Sequence, residues 1–235
     1  KLIAVIVILA VLLILEPDFG SMVVLLATCG ALLFLGGAHI RQILLTLMVG
    51  CLAIWWLAEA APYRVARLTA FLDPWADPYV SGYQLTQSLI AFGRGEWFGV
   101  GLGQSVQKML YLPEAHTDFV FAIFAEEFGY VGVIGLLGLF SLLVVRILRL
   151  SILAIAQKQW YATYVLIGFA LIISGQTFIN LGVNAGLLPT KGLTLPFVSY
   201  GGSSLMASCA MVGMMLRFSH ELQQPKQTLR RSRYG

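Results

Sequence analysis

Apolar residues fill this chain in long runs, and the few polar interruptions mark where helices start and stop. Six segments read as membrane crossings: 2–15, 19–37, 42–61, 119–145, 160–183 and 203–218. Each approaches the roughly 20 apolar residues that a helix rising about 1.5 Å per residue needs to cross about 30 Å of hydrocarbon. Glu16-Pro17-Asp18 separates the first two, because proline cannot donate to a helix ladder, and Gly36-Gly37 closes the second. The pattern predicts an all-α fold, a polytopic integral membrane bundle forming one domain over 1–235. It carries a large extracytoplasmic loop over 62–117 and a basic tail over 219–235.

Composition agrees. Residues are 59% hydrophobic and 11% charged, against about 25% charged in soluble domains. The chain opens on Lys1 directly before an apolar run, with no readable signal peptide, and is expected to be a fragment missing its N-terminal part. Cys29, Cys51 and Cys209 lie inside apolar runs without paired spacing, which predicts buried free thiols.

Charge sets the orientation. With residue 1 inside, ten of the fifteen basic residues fall on the inner side, and of the eleven acidic residues only Glu221 does. That asymmetry places both ends in the cytoplasm and the acidic chemistry outside. The net charge of +4 is spread over short loops and the tail, which argues for membrane topology rather than nucleic-acid binding.

The 62–117 loop is too long for mere linkage, and its Trp75, Trp97, Tyr79 and Phe98 give it material to pack with. Within it, Leu85, Leu89 and Phe92 recur at helical spacing. That predicts a short amphipathic interfacial helix carrying Gln87, serving either packing or a substrate wall. Gly99-Val100-Gly101-Leu102-Gly103 follows no strand and lacks the third glycine of a dinucleotide loop.

Candidate chemistry concentrates in Leu112-Pro113-Glu114-Ala115-His116-Thr117-Asp118-Phe119, two carboxylates and an imidazole at the mouth of the fourth crossing. Ionisable groups there are costly unless paired or used. Thr117 is the expected N-cap, which puts Asp118 in the first turn, where the helix dipole favours its ionised form. Asp118 is thus either a simple capping acid or a catalytic one. Glu126 and Glu127 follow, one of them expected to face the bundle interior with a partner.

Gln176, Asn180 and Asn184 share one face of the fifth crossing, giving either interhelical hydrogen bonds or a polar groove wall. Gly129, Gly132, Gly135 and Gly138 recur every third residue and predict close helix packing. Lys191 occupies the last outer loop, ahead of Ser199-Tyr200-Gly201-Gly202. Free amides at a helix start beside an ammonium suit an anion such as a diphosphate.

Taken together, the strings EPDFG, GYQLTQSLIAFGRGEWFGVGLGQSVQK, YLPEAHTDFVFAIFAEEFGYVG and PTKGLTLPFVSYGGSS resemble the SEDS family (shape, elongation, division and sporulation). These are bacterial inner-membrane peptidoglycan glycosyltransferases. LPEAHTD and TKGLTLP look like its cell-division branch. The resemblance implies ten crossings, of which these would be the last six. It implies polymerisation of lipid II into septal glycan strands, with the site facing the periplasm. Partners would be a class B penicillin-binding transpeptidase and other division-complex membrane proteins. It assigns the catalytic aspartate to Asp118 and the loop lysine to Lys191. Glu114, His116, Thr117, Gln87, Arg94, Asn180, Asn184 and the 199–202 segment are expected to line the substrate. A divalent cation, Mg or Mn, is expected to assist, held by Asp118 or by the diphosphate, and no organic cofactor. Alternatives are a lipid II flippase, a non-catalytic division scaffold and a member of the rod-elongation branch.

Overall fold

A computed structural model describes residues 2–16, 18–41, 48, 71–80, 82–189 and 192–223. All regular structure among them is helical. The helices are α1 (Leu2–Leu15), α2 (Phe19–Leu35), α3 (Tyr83–Gly95), α4 (Val120–Ala156), α5 (Trp160–Asn184) and α6 (Gly202–Gln223), with one π-helical turn at Gln107–Tyr111. Five of the six expected crossings are therefore helices. The third, 42–61, lies outside the described residues apart from Met48, as does the tail beyond 223.

α4 and α5 are long and apolar enough to span a bilayer. They pack on each other and bury Phe121, Phe140, Ile147, Leu166 and Ile173 together with Leu195 and Met215. α2 lies against α5, α1 against α2, and α3 against the start of α4. Outward faces stay apolar, with Ile8, Leu139, Leu142 and Ile152 exposed, as suits a protein whose solvent on that side is lipid.

The two ends of the bundle differ. At one, the Gln157 side-chain amide donates to the Leu222 carbonyl at 2.7 Å, near Arg149, Lys158 and Arg217. The opposite end gathers the start of α2, the 83–119 segment and the 185–201 segment, and with them most of the carboxylates.

Three expectations change. The fourth crossing runs to Ala156, not 145, and Gly129 breaks it with φ 63° and ψ −166°. Tyr130 N–H and Val131 N–H donate to the Glu96 and Trp97 carbonyls at 2.9 and 3.1 Å. Val100 N–H and Gly101 N–H donate to the Glu126 and Glu127 carbonyls at 3.0 and 3.1 Å. The outer loop thus satisfies the backbone groups that the break sets free. A Cβ on Gly99 would stand 2.1 Å from the Glu127 carbonyl oxygen and one on Gly129 2.4 Å from Gly99 N, so both positions require glycine.

Among the described residues, Gly132, Gly135 and Gly138 of the glycine repeat meet no other helix. Gly135 and Gly138 are exposed, with nothing within 4 Å of where a Cβ would sit, and Gly129 serves the break. Cysteine burial is corrected too: Cys29 is half-buried, whereas Cys209 is exposed on α6. Cys51 lies outside the described residues.

Candidate functional site

The Leu112–Phe119 segment is a chain of turns fixed from below. Leu112, Ala115 and Phe119 are buried with Ala91, Ala122 and Val183, which leaves Glu114, His116, Thr117 and Asp118 facing outward to differing degrees. Glu114 adopts φ 55°, and its carbonyl accepts from Thr117 N–H and Phe119 N–H, both at 3.2 Å.

Thr117 does not cap α4. Its hydroxyl turns back to the Glu114 carboxylate at 2.7 Å, and the N-cap position is Phe119. Asp118 consequently sits before the first turn rather than in it. Capping is supplied from another helix: the Asn184 side-chain oxygen accepts from Ala122 N–H at 3.2 Å.

Asn180 and Asn184 form the hub of the site. Both are buried, and their side-chain amides donate to the Asp118 carbonyl at 3.0 and 2.9 Å. Asn180 also donates to the Leu193 carbonyl at 2.6 Å, and Ser88 of α3 donates to the Asn184 carbonyl at 2.7 Å. These bonds engage the side-chain amide donors of both asparagines, which hold the backbone at Asp118. Gln176 departs from their company and borders an apolar cleft between α2 and α5.

The Asp118 carboxylate points at the last outer loop. A Cβ on Gly192 would come within 2.8 Å of its Oδ2, so the loop backbone passes directly beside it. Among the described residues its oxygens accept no hydrogen bond. Burial raises its pKa to about 6, helped by the negative charges of Glu114 and of Asp18 at the start of α2. The helix dipole expected to depress that pKa is overridden: the carboxylate stands outside the first turn, and desolvation disfavours its charge. An acid with a pKa of about 6 is a better proton acceptor near neutrality than an ordinary aspartate.

His116 is exposed, and its carbonyl accepts from Tyr200 N–H at 2.9 Å, which ties the two loops together. Ser199 is buried, and its hydroxyl accepts from Leu195 N–H at 2.7 Å. Ser199 thus spends its hydroxyl on its own loop, whereas the Tyr200 side chain stays exposed. Lys191 lies outside the described residues.

Arg94 is committed elsewhere. Its guanidinium lies 3.3 Å from the fully buried Glu126, which also takes Ser105 Oγ, Val106 N–H and Gln107 N–H. Lys108 pairs with Glu127 at 2.6 Å. Glu126 is thus the inward-facing member of the pair, and what it faces is the outer loop. Gln87 is half-buried beside Ser88 on α3, and among the described residues it makes no polar contact with Asp118. Leu85, Thr86, Ser88 and Ala91 form the buried face by which α3 packs. No three His, Cys, Asp or Glu side chains among the described residues are grouped to hold a metal ion; Glu114 and Asp18 act on Asp118 through charge without forming a cage.

A family model described as "Cell cycle protein", covering FtsW, RodA and SpoVE, matches residues 1–224. A probable peptidoglycan glycosyltransferase FtsW of Saccharophagus degradans is 52% identical over 97% of this chain and 59% of its own length. Another, of Legionella pneumophila, is 55% identical over 94% of this chain and 56% of its own. The chain therefore spans somewhat over half the length of these relatives. Among solved structures, one from a study of polymerisation and crosslinking by a peptidoglycan synthase complex aligns with TM-score 0.72 at 32% identity, over 96% of this chain and 62% of that one. The rod shape determining protein RodA of Thermus thermophilus aligns with TM-score 0.61 at 31% identity, over 95% and 56%. The LPEAHTD turn, the asparagine hub and the bundle that carries them thus sit in a chain that belongs to the FtsW/RodA/SpoVE family of cell cycle proteins, the SEDS family.

Proposed function

We propose that the whole protein polymerises lipid II into glycan strands at the division septum, with Asp118 as the general base facing the periplasm. One observation carries this reading: a half-buried carboxylate of raised pKa, free of hydrogen bonds from the described residues, held at its backbone by two buried asparagines. Such a group is poised to take a proton rather than to hold the fold together.

Ionised Asp118 accepts the proton of the acceptor sugar's 4-hydroxyl. That oxygen forms a bond to the donor's anomeric carbon as the bond to the diphosphate oxygen breaks, inverting α to β. The undecaprenyl diphosphate leaves with the bonding electrons. Asn180 and Asn184 keep the carboxylate in line, since a misplaced base loses much of its advantage. The catalytic part is supported by the resemblance to enzymes of this name; the class B penicillin-binding transpeptidase partner is supported by the solved synthase complex.

Lys191 is the cation for the leaving group in this reading. An ammonium on a diphosphate in a partly dry site makes bonds of about 1.5–3 kcal/mol, roughly 10- to 150-fold in rate or affinity. Lys191→Met is expected to slow lipid II polymerisation at least about tenfold, with Lys191→Arg milder. Unchanged activity of the folded fraction together with a lowered melting temperature would make Lys191 structural. The reading as a whole is tested by lipid II polymerisation with the full-length protein and its transpeptidase, with and without Asp118→Asn.

A further inference from the structure

The break at Gly129 divides α4 into a nine-residue segment above and a long segment below, and the outer loop is stitched into it by four backbone hydrogen bonds. A fifth, Gly99 N–H to the Gly95 carbonyl at 2.7 Å, closes the turn that follows α3. The backbone of 96–101 is thereby fixed to α4, and its side chains project away. Trp97 is 65% exposed, Phe98 83% and Leu102 77%. Trp97 meets Tyr130 edge-on at 5.2 Å, and below Tyr130 the exposed face of α4 continues through Val131 and Ile134. This aromatic ledge is continuous with the exposed apolar face of α4.

The length of α4 fixes its depth. Arg146 and Arg149 are the first cations on α4 after the apolar run, and arginines at such a position reach for the water on their own side. Counting back from Arg146 and Arg149 by the roughly 20 residues that span about 30 Å of hydrocarbon ends at Glu126 and Gly129. The near edge of the hydrocarbon then falls within about a turn of the break, where Trp97, Phe98 and Tyr130 gather. Trp and Tyr favour that level because one side of the ring can be dry while its polar atom stays wet. The charged pairs Arg94–Glu126 and Lys108–Glu127 lie on the watery side of the same boundary.

We propose that residues 97–102 form a rigid aromatic ledge seated in the headgroup–acyl boundary of the leaflet on the site's side, with bilayer lipid as its partner. The ledge and the break fix the height of the site. Asp118 lies eleven residues before Gly129, nine of them helical, so it stands up to roughly 15–20 Å above the hydrocarbon, toward the outer limit of the headgroup layer or just beyond it and not at the mouth of the span. This placement does not depend on the polymerase reading and fails or holds separately from it.

The test uses the full-length protein in nanodiscs, its native cysteines replaced and a single NBD-labelled cysteine placed at Phe98, Leu102 or His116. Lipids carry a nitroxide at the headgroup, high on the acyl chain, or at the chain end. At Phe98→Cys and Leu102→Cys, the first two quenchers should act at least about twofold more strongly than the chain-end one. Quenching there should also exceed that at His116→Cys. Equal quenching at all three sites, strongest quenching by the chain-end nitroxide, or shielding of Phe98→Cys from lipid quenchers once the transpeptidase partner is added would each overturn the proposal. The last result would make the ledge a protein contact.

Discussion

Asp118→Asn is expected to abolish glycan polymerisation while the protein becomes more stable at neutral pH. The first half follows from chemistry: a positioned general base is worth about 10²- to 10⁴-fold, and asparagine cannot accept the proton. The second half follows from linkage. The Asp118 carboxyl has its pKa raised from 3.8 to about 6 in the fold, so the native state binds its proton more tightly than the unfolded chain does. Whatever stability the protonated form contributes is complete below the unfolded value and is lost as pH rises through about 6. Above that pH the wild type carries a desolvated charge that the asparagine variant lacks. Thermal unfolding should therefore show Asp118→Asn ahead of wild type near neutrality, the gap closing toward pH 3.8. A merely structural aspartate predicts the reverse, a destabilised variant whose folded fraction still polymerises.

Asn184→Ala should damage both fold and rate. The side chain is fully buried and bonds the Asp118 carbonyl, the Asn180 carbonyl and Ala122 N–H. Truncation leaves Ala122 N–H with only the Phe119 carbonyl, and the Asp118 carbonyl with only Asn180. Losing three buried hydrogen bonds at about 0.5–1.5 kcal/mol each costs roughly 2–4 kcal/mol, enough to lower the melting temperature by several degrees. In the folded fraction the turnover rate should fall at least about tenfold, because the base loses its anchor. Turnover equal to wild type after correction for folded protein would remove Asn184 from the positioning role.

The helices were legible because crossing a bilayer demands length and apolarity, and both are written along the chain. Glu114, His116 and Asp118 were legible as a cluster for a related reason: carboxylates at the head of an apolar run are costly enough to stand out. What escaped were effects from other parts of the fold. Thr117 has the residue type of a cap, but Glu114 at positive φ turns its hydroxyl inward, and Asn184 takes over from another helix. The periodicity of Asn180 and Asn184 gives their common face without giving what meets it, so an anchor for a backbone carbonyl reads the same as a groove wall. Arg94 is similar, its partner Glu126 being 32 residues away in the sequence. Gly129 was misread because a glycine every third residue suggests packing. A signal did exist in the nearby glycines at 95 and 99, which mark a loop approaching a helix too closely for any side chain.

The central claim is that ionised Asp118 takes the acceptor's proton, and the pH dependence of the initial polymerisation rate tests it most directly. The logarithm of the rate should climb with a slope of about one below pH 6 and level off above it, in wild type and in His116→Gln alike. A rate independent of pH across that interval, or a rise that disappears with His116→Gln, would contradict the assignment.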